Sequence, residues 1–149
     1  MPSTFEKLNL KTQSQIVVLN PPETFEPVLA GLRNVAVLRD LKGSNEIEFS
    51  LAFVTKQKEV DLLAKTIAKR VKGDAIVWFA YPKGTSKKYK SEINRDTGWR
   101  VLGEAGFEPV RMVAIDEDWS AKRYRRVEFI KTMNRPKEVR MTAQGKAPR

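Results

Sequence analysis

The 149-residue sequence contains no cysteine and no histidine. A disulfide framework is therefore excluded, as are zinc sites built from thiolates or imidazoles. Cysteine nucleophiles, histidine bases and Ser-His-Asp triads are excluded for the same reason. Any acid–base chemistry would have to come from Asp, Glu, Lys or Tyr side chains.

Long apolar runs and a signal-peptide pattern are also lacking. No run approaches the ~20 apolar residues that a membrane-spanning helix needs. The first ten residues, MPSTFEKLNL, mix charged and apolar side chains, which is not the pattern of a secretion signal. A cytoplasmic location is therefore the default expectation.

The glycines form neither of the common phosphate-binding patterns. A P-loop requires G-x-x-x-x-G-K-[ST], and Gly84 has no glycine partner at that spacing. No G-x-G-x-x-G follows a predicted strand, so the fingerprint of dinucleotide-binding proteins is missing as well.

Positive charge is what the sequence has in excess. It contains 28 Lys and Arg against 18 Asp and Glu, a net charge of +10. Such a bias favours polyanionic partners: nucleic acid, phosphorylated metabolites or an anionic membrane surface. A soluble protein that is merely basic is an equally good interpretation, because charge alone specifies no partner. The composition, 41% hydrophobic and 31% charged, is typical of one globular domain.

Apolar spacing predicts strands that alternate with helices. The predicted strands are 15–20, 35–38, 47–54, 74–81, 109–116 and 123–130. The predicted helices are 23–32, 56–71 and 91–105. This alternation predicts a single Rossmann-like α/β domain over residues 1–133, with helices on both faces of a mixed, mostly parallel sheet and a C-terminal antiparallel strand. Residues 134–149 are predicted to be a basic, mobile tail.

Ligands of open α/β sheets collect outside the carboxyl ends of the strands, which singles out two loops. The first loop follows Tyr81 and leads into a helix predicted to begin at Ser91. Unpaired N–H groups at that helix start, beside lysines and hydroxyls, would favour an anion. The alternative is a solvated, lysine-rich loop. The predicted ligand-binding residues of this loop are Lys83, Thr85, Ser86, Lys87, Ser91, Asn94 and Arg95.

The second loop follows the strand that ends near Asp116. Its carboxylates could hold Mg²⁺ or act as a general base, and Trp119 could stack on a ring. Ion pairing with nearby basic residues and a hydrophobic anchor are the simpler roles. The predicted ligand-binding residues here are Asp116, Asp118, Trp119 and Arg123. No catalytic residue and no metal site is assigned.

Three motifs lie in the second half of the sequence: YPK at 81–83, NRD at 94–96, and DEDWSA at 116–121 with Arg123. In these motifs, residues 75–126 resemble a family of small uncharacterised bacterial proteins, a domain of unknown function. The segment VVLNPPETF, residues 17–25, is similar to that family's first strand and turn. The resemblance implies a Rossmann-like α/β fold. It brings no established activity, cofactor or catalytic residue.

The order strand, helix, strand, helix and closing hairpin also looks like the later half of a Rossmann-like methyltransferase. The sequence NPPET at 20–24 invites comparison with the N-P-P-aromatic motif of amino-group methyltransferases. Glu23 stands where the aromatic residue must follow, and the first strand lacks a glycine-rich turn for a methyl-donor cofactor. We therefore interpret this match as a coincidence.

The hypothesis favoured by these patterns is a non-catalytic module that binds a phosphorylated small molecule or nucleic acid at the carboxyl edge of the sheet. One alternative is an enzyme on a small phosphorylated substrate, with Asp116 or Asp118 as general base or Mg²⁺ ligand and with Lys83 and Arg95 holding the anion. Another is a subunit that binds nucleic acid or protein through the basic tail or a sheet edge.

Overall fold

A computed structural model describes residues 4–42 and 46–130. Six strands form one sheet: β1 (Gln15–Leu19), β2 (Ala36–Leu38), β3 (Ile47–Phe53), β4 (Val71–Pro82), β5 (Phe107–Ala114) and β6 (Trp119–Arg126). The helices are α1 (Thr4–Lys7), α2 (Glu26–Ala30), α3 (Gln57–Arg70) and α4 (Arg100–Glu104). Short 3₁₀ turns at Glu23–Phe25 and Val127–Phe129 complete the described elements.

The strand order in the sheet is β2-β1-β3-β4-β6-β5. Strands β2, β1, β3 and β4 are parallel, whereas β6 is antiparallel to both β4 and β5. The predicted fold class, a single α/β domain with a mostly parallel sheet and a C-terminal antiparallel strand, is confirmed.

The centre of the sheet is apolar on both faces. Strand β4 is buried continuously from Ala75 to Pro82, and β3 beside it is buried from Phe49 to Phe53. A near-continuous apolar run is what a parallel strand covered on both sides requires. This central pair therefore anchors the strand ends that build the carboxyl edge.

Alternate side chains of β4 enter two separate hydrophobic clusters. Val77 and Phe79 pack on the side that α3 and α4 cover, whereas Ile76 and Trp78 pack on the side of α1 and α2. The indole N–H of Trp78 donates to the carbonyl of Leu8, 2.8 Å away, so the buried polar atom is satisfied. Helices thus cover both faces, as a mostly parallel sheet demands.

The helix predicted over 91–105 is wrong for its first nine residues, because only Arg100–Glu104 is helical. The hydroxyl of Ser91 and the side-chain amide of Asn94 bond to the backbone two or three residues away. Such local bonds offer the chain an alternative to a helix. Gly98 follows with a φ of +109°, a left-handed backbone that also excludes a helix.

Other predicted boundaries need smaller corrections. The last strand begins at Trp119 rather than at residue 123, because it pairs with β4 from Pro82↔Trp119 onward. The helix predicted over 23–32 is a 3₁₀ turn followed by the five residues of α2. The predicted tail, residues 134–149, lies outside the described residues. Within the described part of the chain, no helix is both long and apolar enough to cross a membrane.

Candidate functional site

The structure brings the two predicted loops together at the carboxyl edge of the sheet. The backbone N–H of Lys83 donates to the carbonyl of Asp118 at 2.8 Å. The hydroxyl of Ser86 donates to Oδ1 of Asp118 at the same distance, 2.8 Å. The loop after β4 and the β5–β6 hairpin are therefore packed against each other.

The polar side chains of these loops mostly stabilise the loops themselves. The Ser86 hydroxyl also accepts the N–H groups of Lys88 and Tyr89. Asp116 Oδ1 accepts the N–H groups of Asp118 and Trp119, each at 2.8 Å, which closes the hairpin turn. These carboxylate and hydroxyl oxygens are already occupied by protein donors, so the loop geometry alone explains why those residue types are present.

Trp119 has the role of a core anchor. It is 3% exposed, and its ring lies 5.1 Å from that of Phe53 and 4.9 Å from that of Tyr89. Its buried indole N–H has no hydrogen-bond partner among the described residues. Because the ring is enclosed by aromatic neighbours, it is not an open platform on which a base could stack.

Residues 91–99 form a loop that lies against the start of α3. Oε1 of Glu92 accepts the backbone N–H of Gln57 at 3.0 Å. Glu59 accepts the N–H groups of Thr55 and Lys56 at the same helix start. The N-terminus of the longest described helix thus already holds two carboxylates of the protein, which is the favourable arrangement for its dipole.

The remaining predicted residues do not converge on one point. Lys83 is half-buried, whereas Thr85 and Lys87 are exposed. Arg95 is exposed and its nearest acid is the adjacent Asp96, 3.3 Å away. Arg123 lies on the face of the sheet, opposite Trp78 in β4, rather than in the loops.

The described residues hold no group of three or more acidic side chains placed to bind a metal ion. A cavity of about 390 Å³ lies between α3 and α4, with Gly98 of the 91–99 loop in its wall. Side chains of both signs line it, among them Asp61, Lys65 and Arg100. The Mg²⁺ role considered for Asp116 and Asp118 gains no support from this geometry.

Two further polar residues lie at the same edge, and neither was among the predicted ligand-binding residues, although Asn20 was expected at this edge. Asn20, directly after β1, has a φ of +54°, and Asp40 lies two residues beyond the end of β2. Strands β1 and β2 are neighbours in parallel register, with Val17 opposite Leu38, so both residues extend past the same end. Both are exposed. An acid about 20 residues after the first strand is the signal that could have found Asp40.

Tyr81 is the buried titratable group at the end of β4. Burial raises its pKa above the ordinary value, and the charge of Asp96 acts in the same direction while Arg95 opposes it. The ring lies 5.5 Å from that of Trp99. Its phenol therefore keeps its proton at neutral pH.

Comparison with solved structures finds several chains that share this fold. A SAM-dependent methyltransferase from Aquifex aeolicus is similar at a TM-score of 0.57 and 15% identity, over 83% of this chain and 87% of that one. A putative S-adenosylmethionine-dependent methyltransferase from Listeria monocytogenes is similar at a TM-score of 0.52 and 8% identity, over 83% of this chain and 98% of that one. The [4+2]-cyclase SpnF is similar at a TM-score of 0.54 and 10% identity, over 83% of this chain and 78% of that one. No family model and no curated protein matches the chain.

These comparisons correct the functional hypothesis drawn from the sequence. The similar chains named above are methyltransferases and a cyclase, which are enzymes, whereas the sequence analysis favoured a non-catalytic anion-binding module. One physical basis of the module is also missing, because no helix begins at Ser91 to present its N-terminus to an anion. The alternative hypothesis, an enzyme, agrees better with these comparisons. They give no support to a phosphorylated substrate. At these identities the likeness establishes a Rossmann-like fold.

Proposed function

We propose that this protein is an enzyme that binds a nucleoside-containing methyl donor of the S-adenosylmethionine type at the carboxyl ends of β1 and β2. The observation that carries the proposal is the pair Asn20 and Asp40, two exposed polar residues that extend past neighbouring parallel strands. They do so in a sheet whose solved neighbours include SAM-dependent methyltransferases.

The residues at this edge fit a nucleoside without phosphates better than a dinucleotide. A pyrophosphate needs backbone N–H groups and a glycine that allows close approach. Pro21 and Pro22 follow Asn20 and have no N–H, and α2 is only five residues long. S-adenosylmethionine has ribose hydroxyls and no phosphate, and an exposed carboxylate can accept hydrogen bonds from those hydroxyls. The glycine-rich turn expected of a methyl-donor site is absent after β1, and Asn20, with a φ of +54°, stands at the turn instead.

Asp40 and Asn20 have different positions in the proposed site. The carboxylate of Asp40 would accept hydrogen bonds from the ribose hydroxyls; at present its Oδ1 accepts the N–H of Lys42, which holds the carboxylate beside the strand end. Asn20 is exposed and has a left-handed backbone, with a φ of +54°, directly after β1. When bound, the methyl donor supplies an electrophilic methyl group to a nucleophilic substrate atom. The SpnF likeness shows that this fold also occurs in a cyclase, so donor binding is the first property to test.

Isothermal titration calorimetry with S-adenosylmethionine and S-adenosylhomocysteine tests the proposal directly. We expect both to bind the wild type and expect Asp40→Asn to weaken binding by about tenfold or more, since hydrogen bonds to charged groups contribute about 1.5–3 kcal/mol. Glu48→Gln is the matched control: it removes an exposed carboxylate near the amino end of β3, away from the site.

Two results would reject the proposal. One is the absence of binding of either ligand to the wild-type protein. The other is equal affinity of wild type and Asp40→Asn, measured on variants whose circular dichroism spectra agree. A cytoplasmic location, expected from the sequence, is consistent with such an enzyme and stays a prediction.

A further inference from the structure

Strand β5 is the outer strand at one end of the sheet, because the strand order ends at β5. One side of β5 pairs with β6, and the other side has no strand beside it among the described residues. Such an edge presents backbone N–H and C=O groups that can pair with a further strand. Pro109 has no N–H, and the register shifts between Pro109 and Arg111, so regular pairing is confined to residues 110–114.

The direction of the backbone groups in this segment follows from one hydrogen bond. The N–H of Ile115 donates to the carbonyl of Trp119, directly opposite in β6, at 2.9 Å. In an antiparallel ladder, such pairs alternate with pairs whose N–H and C=O groups point away from each other. The backbone groups of Met112 and Ala114 therefore point outward from the sheet. The ammonium of Lys7 bonds to the carbonyl of Ala114 at 3.0 Å, which agrees with this direction.

The side chains of the same segment are apolar and exposed. Val110 is 41% exposed and Met112 is 44% exposed. They are two of the three large hydrophobic side chains that the described residues expose, and the third is Leu62 on α3. Ala114, two residues after Met112, is exposed as well. The edge thus combines outward backbone groups with apolar side chains, the combination that favours pairing with another strand.

We propose that two copies of this chain pair through β5, antiparallel about a two-fold axis at Met112, which joins the two six-stranded sheets into one. A two-fold interface must be complementary to itself. Centred on Met112, it sets Val110 opposite Ala114 of the partner subunit and Arg111 opposite Val113 of the partner subunit. Centred one residue earlier, it would set Arg111 opposite its own copy, which is destabilising. Centred one residue later, it would leave Val110 beyond the end of the partner's strand.

The dimer should be weak and should respond to salt in a characteristic direction. One short strand from each copy is less than the ~800 Å² per partner of a standard interface. Each chain also carries a net charge of +10, so the two copies repel each other. Salt screens that repulsion, and we therefore expect the affinity of the dimer to rise with ionic strength. Strand β5 lies at the opposite end of the sheet from β1 and β2, so the proposal does not depend on methyl-donor binding.

Sedimentation velocity over a range of protein concentrations tests the interface. We expect a monomer–dimer equilibrium for the wild type and a dissociation constant at least about tenfold higher for Met112→Lys, which places like charges at the axis. Leu62→Lys is the matched control, because it makes the same change at an exposed apolar residue on α3. It should dimerise like the wild type. A wild type that is monomeric at every concentration, or equal behaviour of the two variants, would show that the proposal is wrong.

The absence of cysteine allows a separate test of the register. Opposed residues of a hydrogen-bonded antiparallel pair have Cα atoms about 5.5 Å apart, within the reach of a disulfide. Met112→Cys should therefore form a covalent dimer under mild oxidation. In Arg111→Cys, the two introduced thiols would be displaced by two residues along the strands, with Cα atoms about 8 Å apart, beyond that reach. Equally fast cross-linking of both variants would overturn the proposed register.

Discussion

The hydroxyl of Ser86 donates a 2.8 Å hydrogen bond to Oδ1 of Asp118, a residue 32 positions away in the sequence. This bond joins the loop after β4 to the hairpin between β5 and β6. The backbone bond from Lys83 to Asp118 lies beside it. The two loops therefore form one structural unit at the carboxyl edge, and substitutions in either loop should affect the stability of both.

Removal of the Ser86 hydroxyl should destabilise this unit. Ser86→Ala leaves the half-buried Asp118 carboxylate and the N–H of Tyr89 without a partner. We expect the free energy of unfolding to fall by about 1.5 kcal/mol, the lower range for hydrogen bonds to charged groups. Urea denaturation measures it. Thr85→Ala, one residue earlier and exposed, should stay within about 0.5 kcal/mol of the wild type; equal losses in the two variants would contradict the prediction.

Gly98 is required by both its backbone and its surroundings. Its φ is +109°, and an added Cβ would lie 2.3 Å from Cγ2 of Ile93. We expect Gly98→Ala to cost more than about 2 kcal/mol, from left-handed strain and from the clash together.

Gly84 supplies the matched control, because a Cβ there would meet no atom of the described residues within 4 Å. Gly84→Ala should change the free energy of unfolding, measured in urea, by about 0.5 kcal/mol or less. The prediction is wrong if Gly98→Ala lowers the free energy of unfolding no more than Gly84→Ala does.

The Glu92 carboxylate caps α3 from a loop 35 residues away, through the N–H of Gln57. Glu92→Ala should lower the free energy of unfolding by about 1 kcal/mol, the typical value of an N-terminal cap. Glu92→Gln keeps an acceptor oxygen but removes the charge, so it should lower the free energy of unfolding by less than Glu92→Ala does. Chemical denaturation at low and high salt would separate the two contributions, since salt screens only the charge.

Glu117→Ala tests whether any exposed acid at this edge has the same effect. Glu117 is exposed in the hairpin turn, so its removal should leave stability nearly unchanged. A loss as large as that of Glu92→Ala would show that the cap is not the cause.

The buried phenol of Tyr81 predicts a loss of stability at alkaline pH. Burial raises its pKa in the folded state, so the folded protein retains a proton that the unfolded chain releases. This contribution to stability is complete below about pH 10 and is lost as the pH rises through the folded-state pKa. Tyr81→Phe should therefore show a shallower decline in the free energy of unfolding between about pH 9 and about pH 11. Identical slopes for the two proteins would contradict this origin.

Much of the scaffold could be predicted from local patterns. The spacing of Val60, Ala64 and Ile67 predicts α3, and the apolar run before Tyr81 predicts the central strand β4. The same patterns correctly placed both loops at one edge of the sheet. The helix predicted from Ser91 failed because Ser91 and Asn94 bond locally to the backbone, and apolar spacing does not register that competition.

The amino-acid sequence by itself determined the alternation of strands and helices, the absence of thiol and imidazole chemistry and the excess of positive charge. These properties depend on residue type and on near neighbours in the chain. Tertiary structure alone decided that Ser86 meets Asp118, that Glu92 caps α3 and that Arg111 lies opposite Arg123. The reason is physical: such pairs are set by strand order and register, which depend on the packing of the whole core.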